Sequence, residues 1–301
     1  MKHFVFNFVL YKKHLKMNIR LIAMSLFIGS IGIVSFNQQN SSSGTAETKT
    51  PADKIKTDAV SIKEEAVSYA VAGKNYNGFV FYNSNNTGKR PAVLVIPEWW
   101  GMTDYPKMRA KQLAELGYVA MAVDMYGDAK IAANPQEAQA MATPYYKDPT
   151  LAKTMVDAAL VKLKSFPETD PANVAAIGYC FGGFIVLNAA KLGADLNGIV
   201  SFHGDLGGVP VNSNLLKSKI LICHGEADKF VTEDAVKAFK KSMDSAGVAF
   251  TFEDYPNATH AFTNPAATEI GKKFNMPIAY NEAADKGSWN EMKDFFKKLF
   301  Y

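Results

Sequence analysis

A cysteine between glycines, at a junction that reads as strand into helix, carries the strongest chemical signal in the chain. Gly178-Tyr179-Cys180-Phe181-Gly182-Gly183 follows the β-forming run Val174-Ala175-Ala176-Ile177 and precedes the apolar stretch Phe184 to Ala190. The G-x-C-x-G spacing is that of a nucleophile elbow with a thiol in place of a hydroxyl. So sharp a turn presses the backbone against its neighbours, and a Cβ at Gly178 or Gly182 is expected to clash. The turn lifts the Cys180 sulfur off the sheet and sets it at a helix N-terminus. Free N–H groups and the positive dipole end there favour thiolate over thiol. The competing reading is a buried structural cysteine in a glycine-rich turn.

A nucleophilic thiol needs a base to take its proton and an acid to orient that base. Behind this kind of elbow the acid and then the base follow in the chain, each on a loop after a strand. Lys219 to Gly225 reads as a buried strand entering a turn, and Glu226-Ala227-Asp228 follows it. Asp228 thus lies just past a strand's C-terminal end, where active-site loops gather in open parallel sheets. The strand Val248 to Glu253 then leads into the loop Tyr255 to Phe262, which carries His260. Of the five histidines, His3 and His14 lie in the N-terminal segment, and His203 and His224 end strands. Only His260 comes after both nucleophile and acid. His203 and His224 either line the site or pack at strand ends with backbone partners. Asp228 alternatively caps the following helix, although Thr232 or Asp234 serves that purpose equally well.

Several ordered motifs resemble the dienelactone hydrolase family of α/β-hydrolases. They are Pro97-Glu98-Trp99-Trp100-Gly101, Asp124-Met125-Tyr126-Gly127, the elbow, His224-Gly225-Glu226-Ala227-Asp228 and His260-Ala261-Phe262. The ending Tyr280 to Asp285 with Ser288-Trp289 is also similar, so the match covers roughly residues 62 to 301. The resemblance implies a Cys180-His260-Asp228 triad and an acyl-cysteine intermediate. It also implies that Glu98 contacts the resting cysteine and helps deprotonate it. A carboxylate beside two tryptophans is partly desolvated, which raises its pKa. The competing role for Glu98 is to cap the helix that begins near Thr103-Asp104.

On this reading His260 takes the thiol proton and later activates water, while Asp228 holds the imidazole in the productive tautomer. The oxyanion hole is expected from the backbone N–H groups of Trp99 and Phe181. A thiolate departs readily from a tetrahedral intermediate formed with an amide, so esters, lactones or thioesters are expected rather than peptides. The family's enzymes proper hold a substrate carboxylate with arginines, one after the Asp-x-Tyr region and one after the catalytic histidine. This chain has only Arg20, Arg90 and Arg109. Lys130 is a substitute without the bidentate fork. Trp100, Tyr126, His203 and Phe262 are expected around the substrate, and ordinary packing is the alternative for the aromatic rings. An exported binding or scaffold protein on the same fold competes with the hydrolase reading, as does a thioesterase or general carboxylesterase.

Residues 1–36 hold five basic and no acidic side chains, with Lys12, Lys13, Lys16 and Arg20 ahead of the apolar run Leu21 to Phe36. That order is a signal peptide's, and Met17 opens a cleaner signal than Met1. No good small-x-small cleavage site follows, so an uncleaved membrane anchor stays open. Export to the periplasm or exterior is expected. The polar stretch 37–60 reads as a flexible linker. Residues 37–301 carry 28 basic and 29 acidic side chains, which gives no electrostatic footprint for nucleic acid. No metal-ligand spacing and no dinucleotide motif is present, so no cofactor is expected. The two cysteines, Cys180 and Cys223, are expected to stay unpaired, because Cys223 lies inside another strand's apolar run.

The elements that must position these residues alternate. A hairpin of 67–71 and 78–82 with a turn over 72–77 precedes strand 92–96, helix 104–116 and strand 118–123. Helices within 135–166, strand 174–179 and helix 183–192 follow. Strands 198–202, 219–223 and 248–254 and helices 233–246 and 288–300 complete the chain. Such alternation predicts a mostly parallel sheet covered on both faces, a single α/β-hydrolase domain over 61–301. Residues 126–150 read as cap-like helical structure beside the site.

Overall fold

The computed structural model describes residues 60–301. The expected export segment and nearly all of the polar stretch after it lie outside the described residues. One eight-stranded sheet runs in the order β1-β2-β4-β3-β5-β6-β7-β8. Its strands are β1 (Ile62–Val71), β2 (Lys74–Asn83), β3 (Arg90–Ile96), β4 (Val119–Ala122), β5 (Thr169–Tyr179), β6 (Gly198–Phe202), β7 (Lys219–Gly225) and β8 (Thr251–Tyr255). The β1–β2 and β2–β4 pairs are antiparallel, and every other pair is parallel.

Side chains in a strand alternate between faces. Leu94, Ile96, Ala176, Ile199 and Ile222 face one way. They meet the helices α3 (Thr150–Lys164), α4 (Phe181–Lys191) and α5 (Glu233–Ser245). Val93, Val95, Ala175, Ile177 and Val200 face the other way. They meet α1 (Asp104–Glu115) and α7 (Glu282–Phe300). Burial on both faces is why the central strands read as unbroken apolar runs.

Three local differences from the sequence expectation have physical causes. The hairpin turn is only Ala72-Gly73, with φ of 49° and 78°, because Lys74 to Asn77 pair with Ser68 to Val71. This is the two-residue geometry that matches strand twist. The helix α7 begins at Glu282, six residues earlier than expected, where the Asn281 side chain accepts the Ala284 N–H. An additional helix, α6 (Ala267–Phe274), follows the His260 loop.

The sheet's order reverses between β3 and β5: the chain leaves β3 for β4 on one side and returns past it to β5 on the other. Open α/β sheets bind ligands at the C-terminal ends of the strands flanking such a point. Here those ends carry Pro97 to Trp100 and Cys180.

Candidate active site

Cys180 caps β5 and precedes α4 with φ 53° and ψ −113°, a backbone conformation that costs a side-chain-bearing residue about 1–3 kcal/mol. Close packing enforces it. A Cβ on Gly178 would stand 2.0 Å from the Gly182 carbonyl oxygen, and one on Gly182 would stand 2.3 Å from that of Ile96. The Cys180 carbonyl accepts the Gly183 and Phe184 N–H groups at 3.0 and 3.3 Å, closing the turn into the helix. Both cysteines are free, and Cys223 is buried beside the Tyr255 hydroxyl at 3.9 Å.

His260 Nδ1 and Asp228 Oδ2 are 2.8 Å apart. The second carboxylate oxygen accepts the Phe230 and Val231 N–H groups at 2.7 and 3.1 Å, so the acid is locked in its own turn. Thr232 caps α5 by accepting the Ala235 N–H, which leaves Asp228 to the histidine. The two loops touch directly, since Ala227 N–H donates to the Ala258 carbonyl at 2.9 Å. Gly225 permits that approach, for its Cβ would lie 2.4 Å from the Ala258 oxygen. The Cys180 side chain lies close enough to the imidazole to act on its charge. Burial pulls the His260 pKa down, but the Cys180 sulfur and the bond to Asp228 outweigh it and push it well above the ordinary histidine value. Asp228 is likewise opposed by burial and held below the usual carboxylate value by His260 and the two amides. Phe230, which the sequence reading did not single out, stands edge-on at 5.0 Å from the His260 ring and is 48% exposed. Its signal was its place two residues after the acid.

Glu98 is buried and accepts a hydrogen bond from Asn264 Nδ2 at 2.7 Å. Burial pushes its carboxyl up to about 7, against the pull of Asn264, His260 and Arg109. It does not cap α1, whose N-cap is Thr103. Glu98 and Asn264 border a cavity of about 370 Å³ walled by Trp100, Ala132, Ile270 and Phe274. The Trp100 and Phe274 rings stack at 5.7 Å, so α6 supplies a wall that the sequence reading missed.

The loop after β3 is pinned from behind. Gly101, with φ 83°, lies so close to Lys130 that a Cβ would meet its carbonyl oxygen at 2.1 Å, and that oxygen accepts the Met102 N–H at 3.1 Å. Asp124 organises the opposing loop by accepting the Tyr126, Gly127 and Ala129 N–H groups. Tyr126 is buried, donates its hydroxyl to the Trp99 carbonyl at 3.1 Å, and stacks on Phe181 at 5.8 Å. One ring therefore braces both residues expected to supply oxyanion donors. Phe181 opens α4, so its N–H has no intrahelical acceptor. Helix α2 (Pro135–Lys147) forms the expected cap and lays Tyr145 and Tyr146 against Phe181 at 5.4 and 5.9 Å.

Of the four residues expected in the substrate pocket only Trp100 lines the cavity, and Tyr126, Phe262 and His203 sit elsewhere. Phe262 is fully buried in the core behind His203, at 5.2 Å. His203 is buried, accepts the Cys180 N–H on Nδ1 at 3.1 Å and meets Thr263 Oγ1 at 2.7 Å through Nε2. Burial, with His260 and Arg109 nearby, holds its pKa well below the ordinary histidine value. His224 packs on Phe252 at 5.8 Å. Among the described residues no cluster of three or more His, Cys, Asp or Glu is arranged to hold a metal ion.

Comparison with known proteins agrees with this architecture. The profile of the dienelactone hydrolase family matches residues 77–300. A dienelactone hydrolase-like promiscuous phosphotriesterase from metagenomic libraries superposes with a TM-score of 0.74 at 34% identity, covering 80% of this chain and 99% of that one. A solved structure titled m3DLH gives a TM-score of 0.74 at 32% identity, with the same coverage of 80% and 99%. A protein of Aquifex aeolicus, provisionally named carboxymethylenebutenolidase, is 29% identical over 69% of this chain and 87% of its own length.

Proposed function

The chain belongs to the dienelactone hydrolase family, and from that premise we propose that it hydrolyses uncharged esters and lactones by acyl transfer to the Cys180 sulfur. The observation that carries this reading is the 2.8 Å pair of Asp228 and His260, its imidazole oriented by a fully engaged carboxylate, together with the strained elbow that presents Cys180.

In the proposed cycle His260 takes the Cys180 proton and the sulfur attacks the carbonyl carbon. The resulting oxyanion is received by the N–H groups of Phe181 and Trp99. Losing one such donor typically slows turnover roughly 100- to 1000-fold. The carbon–oxygen bond to the alcohol breaks, the alcohol leaves with the proton from His260, and an acyl thioester remains on Cys180. Water then attacks that thioester and gives a proton to His260, and the departing sulfur recovers it. Glu98, with its carboxyl at about 7, exchanges a proton near neutral pH beside this pair.

The preference for uncharged substrates follows from the arginines. Arg90 donates to the carbonyls of Asn83 and Asn86, and Arg109 is engaged by Thr263 and Asp285. At the cavity the cation is the exposed Lys273, a point charge without a guanidinium fork. Apolar walls suit an acyl chain or an aromatic ring. Because one relative is described as a promiscuous phosphotriesterase, a phosphotriester belongs among the substrates assayed. Export through residues 1–36 remains part of this proposal, and N-terminal sequencing of the secreted fraction tests it.

The deciding experiment is hydrolysis of p-nitrophenyl acetate and a small lactone in reducing buffer, with Cys180→Ala beside the native protein. Turnover that vanishes in the variant, with an acyl adduct on Cys180 by mass spectrometry, is the expected result. Equal rates for both proteins, each folded, would favour a non-catalytic binding protein.

A further inference from the structure

Cys180 and His203 both hold positive φ, 53° and 43°, and one hydrogen bond joins them. They stand at the ends of the paired parallel strands β5 and β6. The Cys180 N–H is shared between the Phe202 carbonyl at 3.0 Å and His203 Nδ1 at 3.1 Å. An amide can donate to Nδ1 only if that nitrogen carries a lone pair. A neutral imidazole then has its proton on Nε2. That proton points at Thr263 Oγ1, 2.7 Å away.

Thr263 is in turn fixed. Its hydroxyl accepts from the Tyr105 hydroxyl at 2.6 Å, and its carbonyl accepts from Arg109 Nη2 at 2.7 Å. Arg109 Nε donates to the Tyr105 oxygen at 3.3 Å, and the guanidinium pairs with Asp285 of α7. The His203 ring also stands edge-on to His260 at 5.3 Å. One buried imidazole therefore touches the backbone of the elbow, the ring of the base, and a hydroxyl three residues beyond the base. It neither lines the cavity nor reaches a reacting atom.

We propose that His203 is a positioning residue that ties the Cys180 elbow to the His260 loop through a neutral, Nε2-protonated imidazole, and so sets the approach of sulfur to base. Protonation at Nδ1 would aim one N–H at another and release the Cys180 amide. Thr263 keeps the proton on the far nitrogen. The chain Asp285–Arg109–Tyr105–Thr263 holds that acceptor in place from the two helices on the other face of the sheet.

Two variants separate acceptor from bulk. His203→Asn retains an oxygen at the Nδ1 position for the Cys180 amide and loses the reach to Thr263. His203→Gln reaches Thr263 and leaves the amide without that acceptor. The primary readout is the rate of Cys180 alkylation by iodoacetamide against pH, which needs no substrate. The second is kcat against KM for p-nitrophenyl acetate, which rests on the function proposed above. Absence of hydrolysis by the native protein, with the alkylation difference between the two variants intact, therefore speaks against that function and not against this one.

The Gln variant is expected to lose about 100-fold in kcat with KM little changed, the scale of a displacement near 1 Å, and to slow alkylation in parallel. The Asn variant is expected to stay within a few-fold of the native protein in both. Equal effects of Asn and Gln, whether both large or both negligible, would overturn the proposal. If the Gln variant does not fold, Thr263→Val and Thr263→Ser replace the pair. Slow alkylation in Val with recovery in Ser is expected, and identical behaviour overturns the idea. A ring ¹⁵N spectrum completes the test. Native His203 should show the neutral Nε2–H form at neutral pH, and an Nδ1–H form would sink the assignment.

Discussion

The Glu98 carboxylate meets Asn264 Nδ2 at 2.7 Å, so this buried acid has an uncharged amide for its hydrogen-bond partner. An amide offers one donor to the ionised form and no net charge, and burial therefore wins. The carboxyl is pushed up to about 7.

The sign of the pH effect on stability follows from linkage. Unfolded Glu98 loses its proton near the ordinary 4.5, whereas in the folded protein it does so near 7. The folded state binds more protons between those values, so the group's contribution becomes less favourable as pH rises from 4.5 to about 7 and is constant above. Glu98→Gln removes that slope. At pH 8 it is expected to stabilise the protein by up to about 3 kcal/mol while eliminating any ionisation near 7 from the pH–rate profile. Asn264→Leu removes a bond to the charged form and should move that ionisation upward. Thermal melts and kcat/KM profiles across pH 5–9 check both, and unchanged profiles in the two variants would refute this account of Glu98.

Asp228→Asn tests the orientation of the base. The asparagine oxygen can still accept the Phe230 and Val231 N–H groups, so the turn should persist. Its Nδ2 then faces His260 Nδ1 and forces the proton onto the other ring nitrogen, which can no longer receive the thiol proton. A fall in kcat of about 10³–10⁴ is expected with little change in Tm. Near-native turnover would mean that Asp228 serves only its loop.

Gly182→Ala places a Cβ against backbone, 2.3 Å from Ile96 O and 2.7 Å from Pro97 O, where no flexible side chain can yield. Overpacking of this kind costs about 1–3 kcal/mol. The elbow must shift, so the folded fraction should also lose Cys180 reactivity. Gly247→Ala is the comparison, because φ +66° strains an alanine there while nothing lies within 4 Å of its Cβ. That variant should lose stability and keep activity per folded molecule. Matching activity losses would argue against the elbow mechanism.

Phe274→Ala tests the cavity. It removes the ring stacked on Trp100 and should raise kcat/KM for p-nitrophenyl hexanoate relative to the acetate about tenfold, the lower end of what a well-filled pocket distinguishes. If the ratio holds steady across acetate, butyrate and hexanoate, the cavity does not receive the acyl chain.

Legibility in the sequence followed the range of the interaction. The elbow is local: its glycines and its cysteine lie within six consecutive positions, and the close approaches inside the turn follow from that spacing. Asp228 and His260 were singled out by order along the chain, and the fold pairs them at 2.8 Å. Helix α6 was hidden because Ala266 provides no side-chain cap and only eight residues follow. The start of α7 was obscured by the charged Glu282, Asp285 and Lys286 and by Gly287, although Asn281 marks it as a cap. The Ala72-Gly73 turn was read too long because alanine rarely takes positive φ.

The chain alone thus determined the strand–helix alternation, the elbow, and the order Cys180, Asp228, His260, since each is a statement about neighbours in sequence or about periodicity. Only the tertiary structure decided that Asn264, 166 positions from Glu98, would be its partner. It likewise decided that His203 would face the Cys180 amide rather than the cavity, and that Phe230 would stand beside the base. Those outcomes depend on which strand ends the sheet brings together and on how much water the resulting contact excludes. Neither quantity is encoded at a single position, so neither can be read before the layers close.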